Sequence, residues 1–285
     1  MIVNKLEPQG YCGGVTRAIK LAYDLAKNEK EPIYMLGKII HNQHVIDSLE
    51  EIGIKTIDDK NKTRLELLDS IPSGIVIFSA HGVSPLVYEK AKQKGLKIVD
   101  ASCPYVKIIH DRMKDYIDKG YTCLYIGTKG HPECEGVLGI SSSIIFIENK
   151  EDILNLNINN DRIYVTNQTT LSINETKELF NLIKDKYNNV VIDDKICNAT
   201  TVRQEAVLNQ PKADLCIVVG DIHSSNTNKL KEVSEKTNTK TILVDNLESL
   251  DKSILDGKKV INITSGASTP SYIVDEIINY LKALK

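Results

Sequence analysis

Three of the six cysteines, Cys12, Cys103 and Cys197, lie 91 and 94 positions apart, and 88 residues follow the last. Each stands where the local sequence starts a helix: Gly13-Gly14 follows Cys12, Pro104 takes a first-turn position after Cys103, and Thr200 is placed to cap the helix after Cys197. The partial positive charge at a helix start favours anionic sulfur, the form that binds soft metals. Structural and electron-transfer clusters normally take four cysteines, so three leave one metal position open to water or substrate, which implies catalysis. An iron-sulfur cluster suits three thiolates, with catalytic zinc as the alternative that metal analysis would separate. Cys123 in YTCLYIG and Cys216 in ADLCIVVG read as buried, mid-strand hydrophobes, and Cys134 in HPECEG is left without a role.

Polar residues recur in step with these cysteines. Between 27 and 29 residues after each comes His41-Asn42, His131-Pro132-Glu133 or Ser224-Ser225-Asn226. A second set follows 66 to 71 residues after each: Ser79-Ala80-His81-Gly82, Gln168-Thr169-Thr170 and Ser265-Gly266-Ala267-Ser268. Lys and Arg are nearly absent from these loops, whose histidines and hydroxyls suit a cradled diphosphate. Helix N-termini bind phosphate without formal positive charge, and Ser224, Ser225 and Ser268 are read as helix starts. Glu133 is either a proton donor or a first-turn carboxylate favoured by the helix dipole. No P-loop or dinucleotide fingerprint competes.

The elements that must position these residues are short apolar runs separated by helical patterns. Ile33 to Leu36, Ile75 to Phe78, Leu96 to Val99, Leu124 to Ile126, Ile163 to Val165, Ile217 to Val219 and Val260 to Ile263 read as buried parallel strands. Val15, Ile19, Ala22 and Leu25 recur at helical spacing, as do Val106, Ile109, Met113 and Tyr116. Every polar set falls just past a strand, where α/β sheets bind ligands. The expectation is an α/β fold of three similar parallel-sheet domains, residues 1–102, 103–196 and 197–285, arranged as a trefoil around a pseudo-threefold axis with the cysteines at the centre.

Composition removes other classes. A net charge of -2 leaves no basic surplus to attract nucleic acid or an anionic membrane, so the partners are small molecules or proteins. No segment approaches the roughly 20 apolar residues of a membrane span, and the N-terminus has no leader pattern, so the chain is read as cytoplasmic. Six widely spaced cysteines in a reducing cytosol are poor disulfide candidates.

The motifs GYCGGVTRAI, HNQHVIDSL, FSAHGVS, DASCP, GHPECEG, NQTTLS, CNATTVRQEA, GDIHSSNTNKL and SGASTP, spread in order from residue 10 to 270, resemble those of the 4-hydroxy-3-methylbut-2-enyl diphosphate reductases. The resemblance implies the last step of the non-mevalonate isoprenoid pathway, a reductive dehydroxylation giving isopentenyl and dimethylallyl diphosphates, with electrons from flavodoxin or ferredoxin. It implies a 4Fe-4S cluster on Cys12, Cys103 and Cys197 with one open iron. It further implies substrate binding by His41, His81, His131, Thr169, Ser224, Ser225, Asn226 and Ser268, proton supply by Glu133, and Thr169 as its hydrogen-bonding neighbour, with Gln168 and Thr170 as weaker carry-overs. Cys134 stands where a valine is expected, and Asn167 alters the first position of its loop. A quinolinate-synthase-like enzyme is a second reading that the HPE and SSN loops disfavour. A non-catalytic iron-sulfur carrier has no use for an open iron and a polar pocket.

Overall fold

The computed structural model describes residues 1–284. Among them twelve strands form three four-stranded sheets: β1 (Ile2–Lys5), β2 (Ile33–Leu36), β3 (Ile54–Ile57), β4 (Ile75–Phe78), β5 (Lys97–Asp100), β6 (Thr122–Ile126), β7 (Ile145–Ile147), β8 (Ile163–Asn167), β9 (Val190–Asp193), β10 (Leu215–Val219), β11 (Thr241–Val244) and β12 (Val260–Ser265). All pairings are parallel. The strand orders are β3-β2-β4-β5, β7-β6-β8-β9 and β11-β10-β12-β1, one pattern used three times. In the third sheet the fourth place is taken by the first strand of the chain. Each cysteine of the trio follows the strand in that fourth place: Cys12 after β1, Cys103 after β5, Cys197 after β9. Strand membership is therefore offset from the cysteine-to-cysteine spacing seen in the sequence.

The chain separates into two compact units. One comprises Met1–Val15, His41–Val45 and the chain from Cys197 onward, with the sheet β11-β10-β12-β1. The other comprises Thr16–Ile40 and Ile46–Ile196, with the remaining two sheets.

The central strands are buried at nearly every position because helices cover both faces, and alternate side chains point to opposite layers. On β6, Leu124 and Ile126 pack with Leu179, Phe180 and Ile183 of the Ile173–Lys186 helix. Cys123 and Tyr125 face the other way, against Ile109 and Met113 of the Pro104–Asp118 helix and Val137 of the Pro132–Leu138 helix. On β10, Ile217 and Val219 pack with Ile273, Val274 and Ile277, while Cys216 and Val218 meet Val207, Leu230 and Val233. Each such Ile or Val contributes about 1.5–3 kcal/mol relative to exposure. No helix among the described residues is long and apolar enough to cross a membrane.

Candidate active site

In the first unit the strand ends deliver Cys12, His41, Cys197, Ser224, Ser225, Asn226 and Ser268. A continuous run of hydrogen bonds joins two of the cysteines. The Cys12 amide donates to the Ala267 carbonyl (3.1 Å), and the Ala267 amide donates to Asn226 Oδ1 (3.0 Å). Asn226 Nδ2 donates to Thr200 Oγ1 (3.3 Å), which lies 3.3 Å from Cys197 Sγ. Asn226 and Thr200 are both buried, so these contacts are shielded from water. Cys197 itself occupies the N-cap of the Asn198–Leu208 helix; Thr200, read from the sequence as that cap, lies one turn further in and turns its hydroxyl back to the sulfur.

Ser224 caps the Ser225–Glu235 helix, its Oγ accepting from the Thr227 amide. Ser268 is not at a helix start, contrary to the sequence reading, because the next helix begins at Ser271 with Pro270 as its cap. Its hydroxyl donates to the His41 carbonyl (3.1 Å) and lies 3.4 Å from Ser224 Oγ. His41 is thereby held beside the serine cluster.

Arg203 is the residue sequence reasoning missed here, although it stands inside the CNATTVRQEA motif. It is 3% exposed, donating from Nη2 to the Gly10 carbonyl (2.7 Å) and from Nη1 to the Ala199 carbonyl (2.9 Å). Its buried Nε has no hydrogen-bond partner. Desolvation pulls the guanidinium below its ordinary value, against the attraction of Cys12 and Cys197 and then Glu7. A buried cation whose foremost anionic neighbours are two sulfurs suits a pair of thiolates holding a metal cluster.

The second unit holds His81, Cys103, His131, Glu133 and Thr169. Cys103 is the N-cap of the Pro104–Asp118 helix, and its amide donates to the Ala80 carbonyl (2.9 Å), tying it to the His81 loop. Gly82, with φ +76, gives that loop a turn that side chains rarely adopt. The Ser79 hydroxyl lies 3.3 Å from His81 Nδ1. The His81 and His131 rings meet edge to face, with centroids 5.6 Å apart. His131 caps the Pro132–Leu138 helix by accepting the Glu133 amide at Nδ1 (3.1 Å), which puts the proton of a neutral ring on Nε2.

Glu133 is 2% exposed, and burial raises its carboxyl to about 7. Opposing that rise, the Thr169 amide donates to Oε1 (2.9 Å), the Thr169 hydroxyl to Oε2 (2.9 Å) and the Tyr125 hydroxyl to Oε1 (3.2 Å). The loop carrying Thr169 is fixed by Gln168, whose Oε1 accepts the Thr128 amide (2.9 Å) and the Cys134 thiol (3.4 Å) while its Nε2 donates to Thr170 Oγ1 (2.8 Å). Tyr125 gave no signal in the sequence beyond an apolar strand.

The other cysteines differ in kind. Cys123 and Cys216 are buried mid-strand, and desolvation lifts both thiols to about 11. Cys134 is buried, and burial pushes its thiol higher still. Groups held protonated in this way are poor metal ligands. The three half-buried cysteines at helix starts fit a cluster, and these three do not.

A family model described as LytB protein matches residues 3–282. The chain is similar to the 4-hydroxy-3-methylbut-2-enyl diphosphate reductases of Bacillus subtilis and Anoxybacillus flavithermus, at 46% identity over 287 residues in each case, covering 99% of this chain and 91% and 90% of theirs. Among solved structures it is similar to the E-1-hydroxy-2-methyl-but-2-enyl-4-diphosphate reductase of Plasmodium falciparum, with a TM-score of 0.92 and 35% identity over 99% of this chain and 88% of that one. A second structure, of (E)-4-hydroxy-3-methyl-but-2-enyl diphosphate reductase, the terminal enzyme of the non-mevalonate pathway, matches all of both chains at 32% identity and a TM-score of 0.69.

Proposed function

This chain belongs to the LytB family of 4-hydroxy-3-methylbut-2-enyl diphosphate reductases, and we propose that it converts that allylic diphosphate to isopentenyl and dimethylallyl diphosphates. Two electrons and two protons enter, the carbon-oxygen bond breaks, and water leaves. The observation that carries the reading is Glu133, a carboxyl group withdrawn from water and raised to about 7, so that a large share of it is protonated near neutral pH and can release the proton.

Cys12, Cys103 and Cys197 are assigned as the thiolate ligands of a 4Fe-4S cluster, which when bound supplies electrons and a Lewis-acidic iron. The support is their shared place at helix starts and the Arg203 charge beside two of them. The other functional residues bind, orient and protonate. Ser224, Ser225, Asn226 and Ser268 offer hydroxyl, amide and helix-start donors to the diphosphate, and His41, His81 and His131 add imidazole donors. Thr169 contacts both oxygens of Glu133 and so fixes the carboxyl plane against the substrate's hydroxyl. Glu133 gives its proton to the departing hydroxyl, making water the leaving group.

The reading includes flavodoxin or ferredoxin as electron donor, a cytoplasmic location, and a division into residues 1–102, 103–196 and 197–285, for which the thrice-repeated strand order speaks everywhere except at β1, which completes the third sheet. Anaerobic reconstitution with iron and sulfide, reduction, and incubation with the hydroxylated allylic diphosphate test the activity. Both isoprenoid diphosphates are the expected products. A protein with a full complement of iron that yields neither would overturn the assignment.

A further inference from the structure

Tyr125 lies in β6, next to its last residue, with no exposed surface, yet carries a polar end. A tyrosine buried this deeply needs partners for its hydroxyl, and it has Glu133 Oε1 at 3.2 Å and the Cys134 sulfur. Space for the ring and for Cys134 beside it comes from Gly127: a Cβ there would lie 2.5 Å from Cys134 Sγ and 3.2 Å from Tyr125 Cε1. Burial, with Glu133 and Cys134 alongside, holds the phenol well above its ordinary value, so the hydroxyl remains a donor at every working pH.

The two carboxyl oxygens are therefore not equivalent. Oε1 receives two donors, the Thr169 amide, which can only donate, and the Tyr125 hydroxyl, whereas Oε2 faces a single group, the Thr169 hydroxyl, which can donate or accept. A proton on Oε1 would meet two donors already directed at that atom. On Oε2 it meets a hydroxyl able to turn and receive it. We propose that Tyr125 is a positioning residue which, together with the Thr169 amide, occupies Oε1 of Glu133 and so confines the transferable proton to Oε2. This rests on Glu133 being the proton source.

Tyr125→Phe removes the donor and keeps the ring. Infrared titration of the Glu133 carboxyl band, identified by its loss in Glu133→Gln, reads the effect without turnover. One hydrogen bond to a carboxylate is expected to move the midpoint upward by about one pH unit. In the reconstituted enzyme the alkaline limb of kcat should move by the same amount while KM stays in place. As a second variant that preserves the fold, 3-fluorotyrosine at position 125 is a stronger donor and should move the midpoint down. A midpoint unchanged in both variants, or a loss of thermal stability with no change in titration, would overturn the proposal and leave the proton-source reading intact. Full turnover by Glu133→Gln would overturn that reading and with it the catalytic part of this one.

Discussion

Glu133 and Arg203 are deeply buried ionisable groups, one in each unit, and the protein resolves their burial in opposite ways. Glu133 has three hydrogen-bond donors and no cation among the causes that shift it, and desolvation wins, so the carboxyl keeps its proton to about pH 7. Arg203 has two carbonyl acceptors and two neighbouring sulfurs, which oppose the pull of burial. The first environment leaves a carboxyl protonated toward neutral pH, and the second keeps a positive charge beside two of the residues proposed to hold metal. A buried ionisable group gives up its charge when its surroundings are merely polar and retains it when they supply an opposite charge.

The comparison can be broken most sharply at the sulfurs. Cys103→Ala, Cys12→Ala or Cys197→Ala is expected to abolish cluster retention and turnover together, read as iron per chain after anaerobic reconstitution. Arg203→Met should weaken iron retention about 10- to 100-fold, the range for residues that support metal ligands, while the apoprotein stays folded by circular dichroism. A variant that reconstitutes normally would remove Arg203 from the account.

On the other side, the raised Glu133 value carries a stability signature. Because the folded value lies above the ordinary 4.5, the neutral carboxyl's contribution is fully present below about pH 4.5 and is lost as pH rises to about 7. Chemical denaturation should show the parent losing a few kcal/mol across that window relative to Glu133→Gln. Parallel curves would show that the carboxyl is charged throughout. The smallest effect belongs to Cys123→Ala and Cys216→Ala, which should keep full iron content and cost about 1 kcal/mol of stability.

How much of this was legible in the sequence follows from burial. All six central strands, β2, β4, β6, β8, β10 and β12, were read from short, mainly apolar runs, because helices on both faces leave nearly every position buried. Of the six edge strands only β5 was read, displaced by one residue. β1 and β3 mix exposed with more buried positions, as in IVNK and IKTI, whereas β7, β9 and β11 are short apolar runs that the reading passed over. That β1 joins the last sheet could not be read at all, since its partner β12 lies some 258 residues away.

At the site, residue types and spacing pointed to the cysteines, histidines, serines and Glu133. Tyr125 and Arg203 escaped because a tyrosine in an apolar strand and an arginine on a helix look ordinary until their polar ends are seen buried. The cap after Cys197 was misplaced by three residues because threonine is a better capping residue than cysteine in general, whereas here the cysteine holds that position and the threonine supports its sulfur.

The most direct test of the central claim, that a desolvated carboxyl supplies the proton, is a single-turnover comparison of reduced parent and Glu133→Gln at equal iron content. The account expects the parent to form both isoprenoid diphosphates and the variant to bind substrate while forming them about 10²- to 10⁴-fold more slowly. Equal rates in the two proteins would contradict it.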